Sequence, residues 1–352
     1  MSRFGRVELV AAVAAAATAL AGVLTIPRPP QLSTSVTGDP ELAEAVRAQL
    51  ARLPGARDQL SVAVIDGAEV KKVSFGSSAT TAYEIGSITK TVTGALLAQA
   101  IERGEVTEAT QLGELLDLGD SPAASVPLVE LATHSSGLPR LAPSARQWWK
   151  AIIASIRATD PYGGSVDELR DEARHAEVGA REFEYSNFGF ALLGQALAVA
   201  AKTDYPSLVT ERVFTPLGMR DSSTPTSPTE LKEGALTGYT ASGRPASPWT
   251  LGASAPAGSI RSTLDDLVRY AVAHRDRTLP FTSAADPRTP IAEGQQIGFA
   301  WITTGEVCWH NGGTGGFSSW LGFNRTTGRA VVVLSNTAAS VDELGWALME
   351  VK

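Results

Sequence analysis

The chain has 352 residues, of which 43% are hydrophobic, and this is enough for one large domain or two of ordinary size. Its net charge of −7 and the lack of any Lys or Arg run longer than two residues argue against a nucleic-acid partner. A single cysteine and four histidines without metal-ligand spacing argue against a disulfide scaffold and a zinc site, so we expect no metal and no cofactor.

The N-terminal segment is an apolar stretch behind a positive start. Arg3 and Arg6 precede a run of apolar and small residues, residues 9–26, and prolines follow it. This order predicts a secretory signal peptide or an N-terminal membrane anchor over residues 1–26, because the run is just long enough to span a membrane. An Ala-rich soluble helix is the alternative. With the arginines inside, the rest of the chain is expected to be extracytoplasmic, either secreted or anchored to the cell membrane.

A linker and then one long domain follow. Residues 27–39 are rich in Pro, Ser, Thr and Gly and predict a linker, and residues 40–352 predict a single domain. Residues 40–53, PELAEAVRAQLARL, have helical spacing with a proline at the start. Residues 59–66 and 70–76, QLSVAVID and VKKVSFG, flank a Gly turn and predict a pair of strands.

Helices dominate the middle of the chain and strands return near its end. Helical patterns run from residue 87 to about residue 274, broken by Gly- and Pro-rich loops, and a last helix is predicted over residues 341–350. Four more strands are predicted over residues 296–303, 306–310, 317–324 and 329–336. Strands at both ends predict an α+β fold, in which an antiparallel sheet built from N- and C-terminal segments carries flanking helices and an inserted, mainly helical lobe.

The first candidate motif is SITK, residues 87–90, at the start of a helix that is apolar on nearly every side. Ser87 and Lys90 lie one helical turn apart on the same face, and no other lysine of the chain follows a serine at this spacing. A buried ammonium needs a partner or a lowered pKa, and a basic amine can make a neighbouring hydroxyl nucleophilic. The alternative is that Ser87 caps the helix while Lys90 reaches the surface.

Two further motifs offer polar groups to a substrate. Tyr185-Ser186-Asn187 is the only Y-x-N sequence of the chain, and it supplies a hydroxyl that can carry a proton and an amide that can bind a peptide group. The third motif ends a predicted strand with glycines, which let a ligand approach the backbone or simply form a hairpin turn. Its residues are His310, Asn311, Gly312 and Gly313.

In this order the three motifs resemble those of the serine penicillin-recognising enzymes, in the branch that contains class C β-lactamases, D-Ala-D-Ala carboxypeptidases and esterases. The resemblance extends from about residue 40 to the end and includes LATHSSGLP (131–139) and AGSIRSTLDDLVRY (257–270). It implies that Ser87 is the acyl-accepting nucleophile, that Lys90 is its base, and that Tyr185 passes a proton to the leaving atom.

The same resemblance implies a set of substrate-binding groups around the nucleophile. Asn187 would hold the substrate amide, together with the four residues of the third motif. The backbone N–H groups of Ser87 and Gly313 would form the oxyanion hole, and His134 would have a structural role. The implied substrate is a peptide ending in D-Ala, a β-lactam or an ester.

The third motif departs from the family pattern. His310 stands where class C β-lactamases have lysine, and Asn311 stands where they have threonine. Since a histidine is mostly neutral near pH 7, His310 would act as a pH switch, which puts efficient β-lactam hydrolysis in question. Trp148 and Trp149 could line the pocket, although packing is the favoured role. Cys308 is expected to be a small buried residue.

The leading hypothesis is an exported serine hydrolase that works through an acyl-enzyme on Ser87. Its partner is a small-molecule or peptide substrate, and it meets the membrane through the N-terminal segment only. The alternative is a binding or sensor module, which would be acylated by penicillin or would bind cell-wall fragments without turnover. The presence of Ser87, Lys90 and Tyr185 together favours the enzyme.

Overall fold

The computed structural model of the protein describes residues 29–350. The predicted signal peptide or anchor, residues 1–26, lies outside the described residues. Within residues 29–350, no helix combines the length and the apolar character needed to cross a membrane. The strands in this range are β1 (Val36–Gly38), β2 (Leu60–Asp66), β3 (Glu69–Phe75), β4 (Tyr83–Glu84), β5 (Gly238–Tyr239), β6 (Pro245–Ala246), β7 (Arg261–Ser262), β8 (Thr289–Ala292), β9 (Gln295–Ile297), β10 (Ile302–Thr304), β11 (Val307–Gly313), β12 (Ser318–Asn324) and β13 (Ala330–Ser335).

Nine of these strands form one antiparallel sheet in the order β1-β3-β2-β13-β12-β11-β10-β9-β8. The N-terminal hairpin of β2 and β3 joins the C-terminal strands through β13, where Val62 lies opposite Val333. The sheet is therefore built from both ends of the chain, and the predicted α+β architecture is confirmed.

Helices cover both faces of the sheet. They are α1 (Pro40–Leu50), α2 (Thr89–Glu102), α3 (Leu128–Ala132), α4 (Ala145–Arg157), α5 (Val166–Arg174), α6 (Asn187–Ala200), α7 (Tyr205–Val209), α8 (Thr215–Leu217), α9 (Leu264–Asp276) and α10 (Asp342–Glu350). On one face, α1 and α10 bury residues such as Val46 and Leu344 against Val62. The next residue of β2, Ala63, belongs to the larger core on the other face, because side chains alternate along a strand. That larger core includes α2 and α6.

Two segments differ from the sequence prediction. Residues 36–38, inside the predicted linker, form the edge strand β1 and pair with β3, so the linker is shorter than predicted. Residues 296–303, predicted as one strand, contain a hairpin of β9 and β10. A turn closed by the Gly298 amide and the Trp301 carbonyl, 2.8 Å apart, reverses the chain there. The apolar run hides this turn, since it contains no proline and a glycine is also compatible with a strand.

His274, on α9, is a buried histidine in the larger core. Its ring centroid lies 4.6 Å from that of Tyr270 and 4.9 Å from that of Trp301. Among the described residues neither of its ring nitrogens has a hydrogen-bond partner. Burial disfavours the charged imidazolium and lowers the pKa of His274 to about 3.

We therefore expect the protein to lose stability as the pH falls below the ordinary histidine pKa of 6.5 toward about 3. Over that range the unfolded chain binds a proton at His274 and the folded chain does not, which costs up to about 1.4 kcal/mol per pH unit. His274→Phe should remove this contribution from the slope of unfolding free energy against pH, measured by urea unfolding. The exposed His175, changed to Phe, is the control. Equal slopes in both variants would contradict the prediction.

Candidate active site

Ser87 and Lys90 meet at the start of helix α2. Residues 86–88 form one 3-10 turn and α2 continues from Thr89, which places Ser87 at the N-terminal end of the helix. The Nζ atom of Lys90 lies 3.0 Å from Oγ of Ser87 and donates a second hydrogen bond to the carbonyl oxygen of Ala257 at 2.7 Å. The two residues of the first motif are therefore in direct contact.

Lys90 is fully buried, with 0% of its surface exposed, so the alternative in which it reaches solvent does not apply. Its Nζ lies 4.8 Å from the ring centroid of Tyr185 and 5.7 Å from that of Phe190. Burial, with a smaller contribution from the positive charge of Arg140, lowers the pKa of Lys90 well below its ordinary value. A lysine with a lowered pKa can be neutral, and its amine can then accept the proton of the Ser87 hydroxyl.

Tyr185 lies in the loop before α6 and faces the same lysine. The guanidinium of Arg140 covers its ring at 5.1 Å from the centroid. Burial raises the pKa of the Tyr185 hydroxyl, and the neighbouring Ser87 hydroxyl opposes part of that rise. The phenol is therefore protonated at ordinary pH, which suits it to deliver a proton to a leaving group.

His134 holds the loop that carries Tyr185. The two rings lie 4.4 Å apart, and Nδ1 of His134 accepts a hydrogen bond from the backbone N–H of Ser186 at 3.0 Å. Burial, followed by the charge of Lys90, lowers the pKa of His134 well below its ordinary value. A neutral histidine that accepts a backbone hydrogen bond fits the structural role implied by the sequence resemblance.

The side chain of Asn187 is held at the first residue of α6. Its Nδ2 donates to the hydroxyl of Tyr162 at 2.6 Å, and its backbone N–H donates to the carbonyl of Arg140 at 3.0 Å. These contacts fix the amide plane and leave its carbonyl oxygen as the available acceptor. Tyr162 is thus a positioning residue at the site, although no sequence motif marks it.

The third motif lies on β11, and its side chains alternate between the two faces of the sheet. The ring of His310 lies on the face of the sheet that carries Tyr185, 6.4 Å from the Tyr185 ring, and only 1% of the residue is exposed. The side chain of Asn311 instead donates to Asp342 of α10 at 2.8 Å. The structure therefore brings His310 to Tyr185 and leaves only the backbone of Asn311 on that side.

The burial of His310 changes what this residue can do. Burial, followed by the charge of Lys90, lowers the pKa of His310 to about 4. Its Nδ1 lies 2.5 Å from the carbonyl oxygen of Asn311, which makes Nδ1 the protonated nitrogen of the neutral ring. The sequence-based expectation of a switch near the ordinary histidine pKa is wrong, because burial moves the protonation of His310 to a much lower pH.

Glycines bring the end of β11 against the residue before Ser87. Gly86 has a φ of +51°, and a Cβ placed on it would come within 2.6 Å of the backbone nitrogen of Gly313. A Cβ on Gly312 would come within 2.0 Å of the carbonyl oxygen of Ile85. Neither contact tolerates a side chain, so these glycines allow the two backbones to touch. This contact places the backbones of Ser87 and Gly313 in adjoining segments.

A cleft of about 270 Å³ lies next to Tyr162 and is not lined by Ser87, Lys90 or Tyr185 themselves. It is bordered by Tyr162, which bonds Asn187, and by Gly315, two residues beyond Gly313. Trp249 and Leu141 also line it and make its surface largely apolar. An apolar cleft with a few fixed polar groups at one end is typical of a small-molecule or peptide site.

Comparison with known proteins gives the family. Residues 42–350, most of the chain, match the sequence profile of the Beta-lactamase family. The chain belongs to the beta-lactamase family. Its relatives include the D-alanyl-D-alanine-carboxypeptidase/endopeptidase AmpH of Escherichia coli (strain K12), which is 30% identical over 230 residues that cover 60% of this chain and 56% of AmpH. Penicillin-binding protein 4 of Amycolatopsis lactamdurans is 25% identical over 290 residues, or 72% of each protein.

Solved structures show the same fold. A class C beta-lactamase matches with a TM-score of 0.72 and 19% sequence identity, over 88% of this chain and 92% of the other. The class C beta-lactamase-like fold of this family member is thereby confirmed. The matched region spans only about half the length of AmpH.

Several features of this beta-lactamase family member were not evident from its sequence. Arg140 is exposed, and among the described residues its guanidinium forms no salt bridge and no hydrogen bond, although it lies at Tyr185. Arg140 directly follows the segment 131–139. The resemblance of that segment to the family was the one sequence signal that could have pointed to Arg140. Trp148 and Trp149 are 64% and 59% exposed, so the favoured packing role is wrong for both.

Proposed function

We propose that this protein is an exported serine hydrolase that works through an acyl-enzyme on Ser87. The observation that carries the proposal is the 3.0 Å contact between the Ser87 hydroxyl and the buried Nζ of Lys90. A buried lysine without a carboxylate partner is costly, and a base for Ser87 is the use that this position supports. Export is supported by the sequence of residues 1–26 alone.

The proposed reaction has two halves. Lys90 takes the proton from Ser87, whose Oγ attacks the substrate carbonyl carbon while the backbone N–H groups of Ser87 and Gly313 hold the developing oxyanion. Tyr185 protonates the leaving nitrogen or oxygen as the acyl bond breaks, and is reprotonated from Lys90. Water then attacks the Ser87 ester and releases the acid, which restores the serine.

The proposed substrates are peptides that end in D-Ala, β-lactams or esters. Two relatives support this range by their names, which are those of a D-alanyl-D-alanine carboxypeptidase and a penicillin-binding protein. Within residues 29–350 the side-chain carbonyl oxygen of Asn187 accepts no hydrogen bond and can therefore accept one from a substrate N–H, which supports amide substrates in particular. The neutral His310 gives the third motif no positive charge, which weakens the case for efficient β-lactam hydrolysis.

One kinetic experiment tests the proposal against the alternative of a binding or sensor module. A chromogenic β-lactam and a short-chain ester are each mixed with the enzyme at comparable concentration, and product is followed from the first turnover. A hydrolase gives a steady rate after any burst with at least one of the two substrates. A burst that ends at one equivalent with both substrates would replace the hydrolase with the sensor.

Arg140 is expected to select for anionic substrates. His310 is neutral, so the unpaired guanidinium of Arg140, 5.1 Å from the Tyr185 ring, is the cation placed to attract a carboxylate at the site. Arg140→Gln should lower kcat/KM about tenfold for a carboxylate-bearing substrate and much less for a neutral ester. The exposed Arg220, changed to Gln, is the matched control and should leave both values unchanged. An equal loss for both substrates would mean that Arg140 only supports Tyr185.

A further inference from the structure

Helix α4 turns an apolar face to solvent. Trp148, Trp149, Ile153 and Ile156 are 64%, 59%, 47% and 67% exposed, and we call these four residues the apolar stripe. Positions 149, 153 and 156 recur with the helical period and so share one side of the helix. The inward side is held by Gln147, whose Nε2 donates to the carbonyl of Pro161 at 3.0 Å. Four large apolar side chains in one exposed patch mark an interaction surface.

Positive charges run along one edge of this stripe. By the helical period, Arg146, Lys150 and Arg157 lie in a row between the apolar stripe and the body of the protein. Arg146 pairs with Glu168 at 2.5 Å, whereas Lys150 and Arg157 form no salt bridge among the described residues. A helix with tryptophans on one side and cations beside them is typical of a segment that lies at a lipid surface.

The described chain begins next to this helix. Pro29 packs on Gly243, in the turn of the β5–β6 hairpin. A Cβ placed on Gly243 would come within 2.7 Å of the Cα of Pro29. The next residue, Arg244, donates from its guanidinium to the carbonyl of Ile156 at 3.3 Å. The described chain therefore begins, at Pro29, near the end of the apolar stripe, and the predicted anchor, residues 9–26, precedes this point in the sequence.

From these observations we infer that α4 lies on the surface of a membrane that contains anionic lipid, with the apolar stripe inserted at the boundary of headgroups and acyl chains. Anionic headgroups would contact Lys150 and Arg157. The 270 Å³ cleft is lined by Ala151, Ala154 and Ser155 of the same helix and by Tyr162, which bonds Asn187, so this side of the candidate site would be held close to the lipid surface. The inference uses the proposed location of the domain but not its proposed chemistry.

Site-specific fluorescence on the full-length chain in lipid vesicles tests this contact. Ile153→Cys is labelled with an environment-sensitive dye, and Val199→Cys, an exposed aliphatic position on α6, is the matched control. The native Cys308 is buried with its pKa raised to about 12, so it does not compete for the label. Vesicles contain phosphatidylcholine with or without phosphatidylglycerol, and a trace of nitroxide-labelled lipid.

We expect a blue shift and a loss of emission by nitroxide quenching at position 153, stronger with phosphatidylglycerol, and neither change at position 199. No quenching at position 153 would overturn the inference. Equal quenching at positions 153 and 199 would also overturn it, because an N-terminal anchor alone would bring both positions to the membrane without favouring either. A shift at 153 that grows with protein concentration without vesicles would assign the stripe to a second copy of the chain instead. The same labels on Ser87→Ala protein should behave identically, which separates this contact from any failure of the proposed hydrolase.

Discussion

Ser87→Ala is expected to abolish acylation and to lower kcat by at least about a thousandfold, because no other group near Lys90 can form the acyl-enzyme. Incubation of the native protein with penicillin or an activated ester should add the acyl mass to the peptide that contains Ser87. The variant should carry no adduct. Ser87 is only partly buried and its side chain is small, so the change should leave the unfolding temperature nearly unaltered.

Ser186→Ala is the matched control for this experiment. The Ser186 hydroxyl caps α6 by accepting the Gly189 N–H at 2.8 Å, so its loss should cost about 1 kcal/mol of stability and leave the adduct in place. Mass spectrometry of the intact protein and of its peptides gives the readout. An adduct on Ser186 or Cys308 in the native protein, or an adduct that persists in Ser87→Ala, would refute the assignment of the nucleophile.

The parts of the fold that could be predicted are those fixed by short-range patterns. The helix from Thr89 places Ser87 and Lys90 together because residues three apart always share a helical face. The strands at both ends of the chain are marked by short runs rich in β-branched residues, such as VAVI (62–65) and AVVV (330–333), and they imply a common sheet. The hairpin within residues 296–303 could not be predicted, because its turn depends on contacts with the distant segment 284–286, whose carbonyls close over Gly298.

The chemistry of the site was less predictable than its motifs. The sequence marks His310 as a departure from the family pattern. Its burial depends on long-range contacts of β11 with residues 86–88 and with Tyr185, which no local signal records. Tyr162 reaches the site from the loop between α4 and α5, and Arg140 reaches it from the residue after segment 131–139. Neither residue belongs to one of the three sequence motifs. The exposure of Trp148 is unexpected for a large apolar side chain. The sequence does not show which side of a helix the rest of the fold leaves uncovered.

Lys90→Met is expected to lower kcat by roughly a thousandfold while raising stability at pH 7. The loss of rate follows from the loss of the base that activates Ser87. The gain in stability follows from linkage, because burial lowers the folded-state pKa of Lys90 below its unfolded value of 10.5. At pH 7 the unfolded chain binds a proton there more readily than the folded chain, and each unit of lowering costs the folded state about 1.4 kcal/mol. Methionine fills a similar volume without this cost.

The gain should depend on pH, which separates linkage from better packing. It should be largest below the folded-state pKa of Lys90 and should shrink as the pH rises toward 10.5, where the unfolded chain also loses its proton. Urea unfolding of both proteins across that range is the measurement. Lys72→Met is the control, because Lys72 is half-buried and pairs with Asp265 at 2.7 Å, so its loss should slightly destabilise the fold. If Lys90→Met is less stable than the native protein at pH 7, then Lys90 is a charged structural residue, and the serine must be activated by another group.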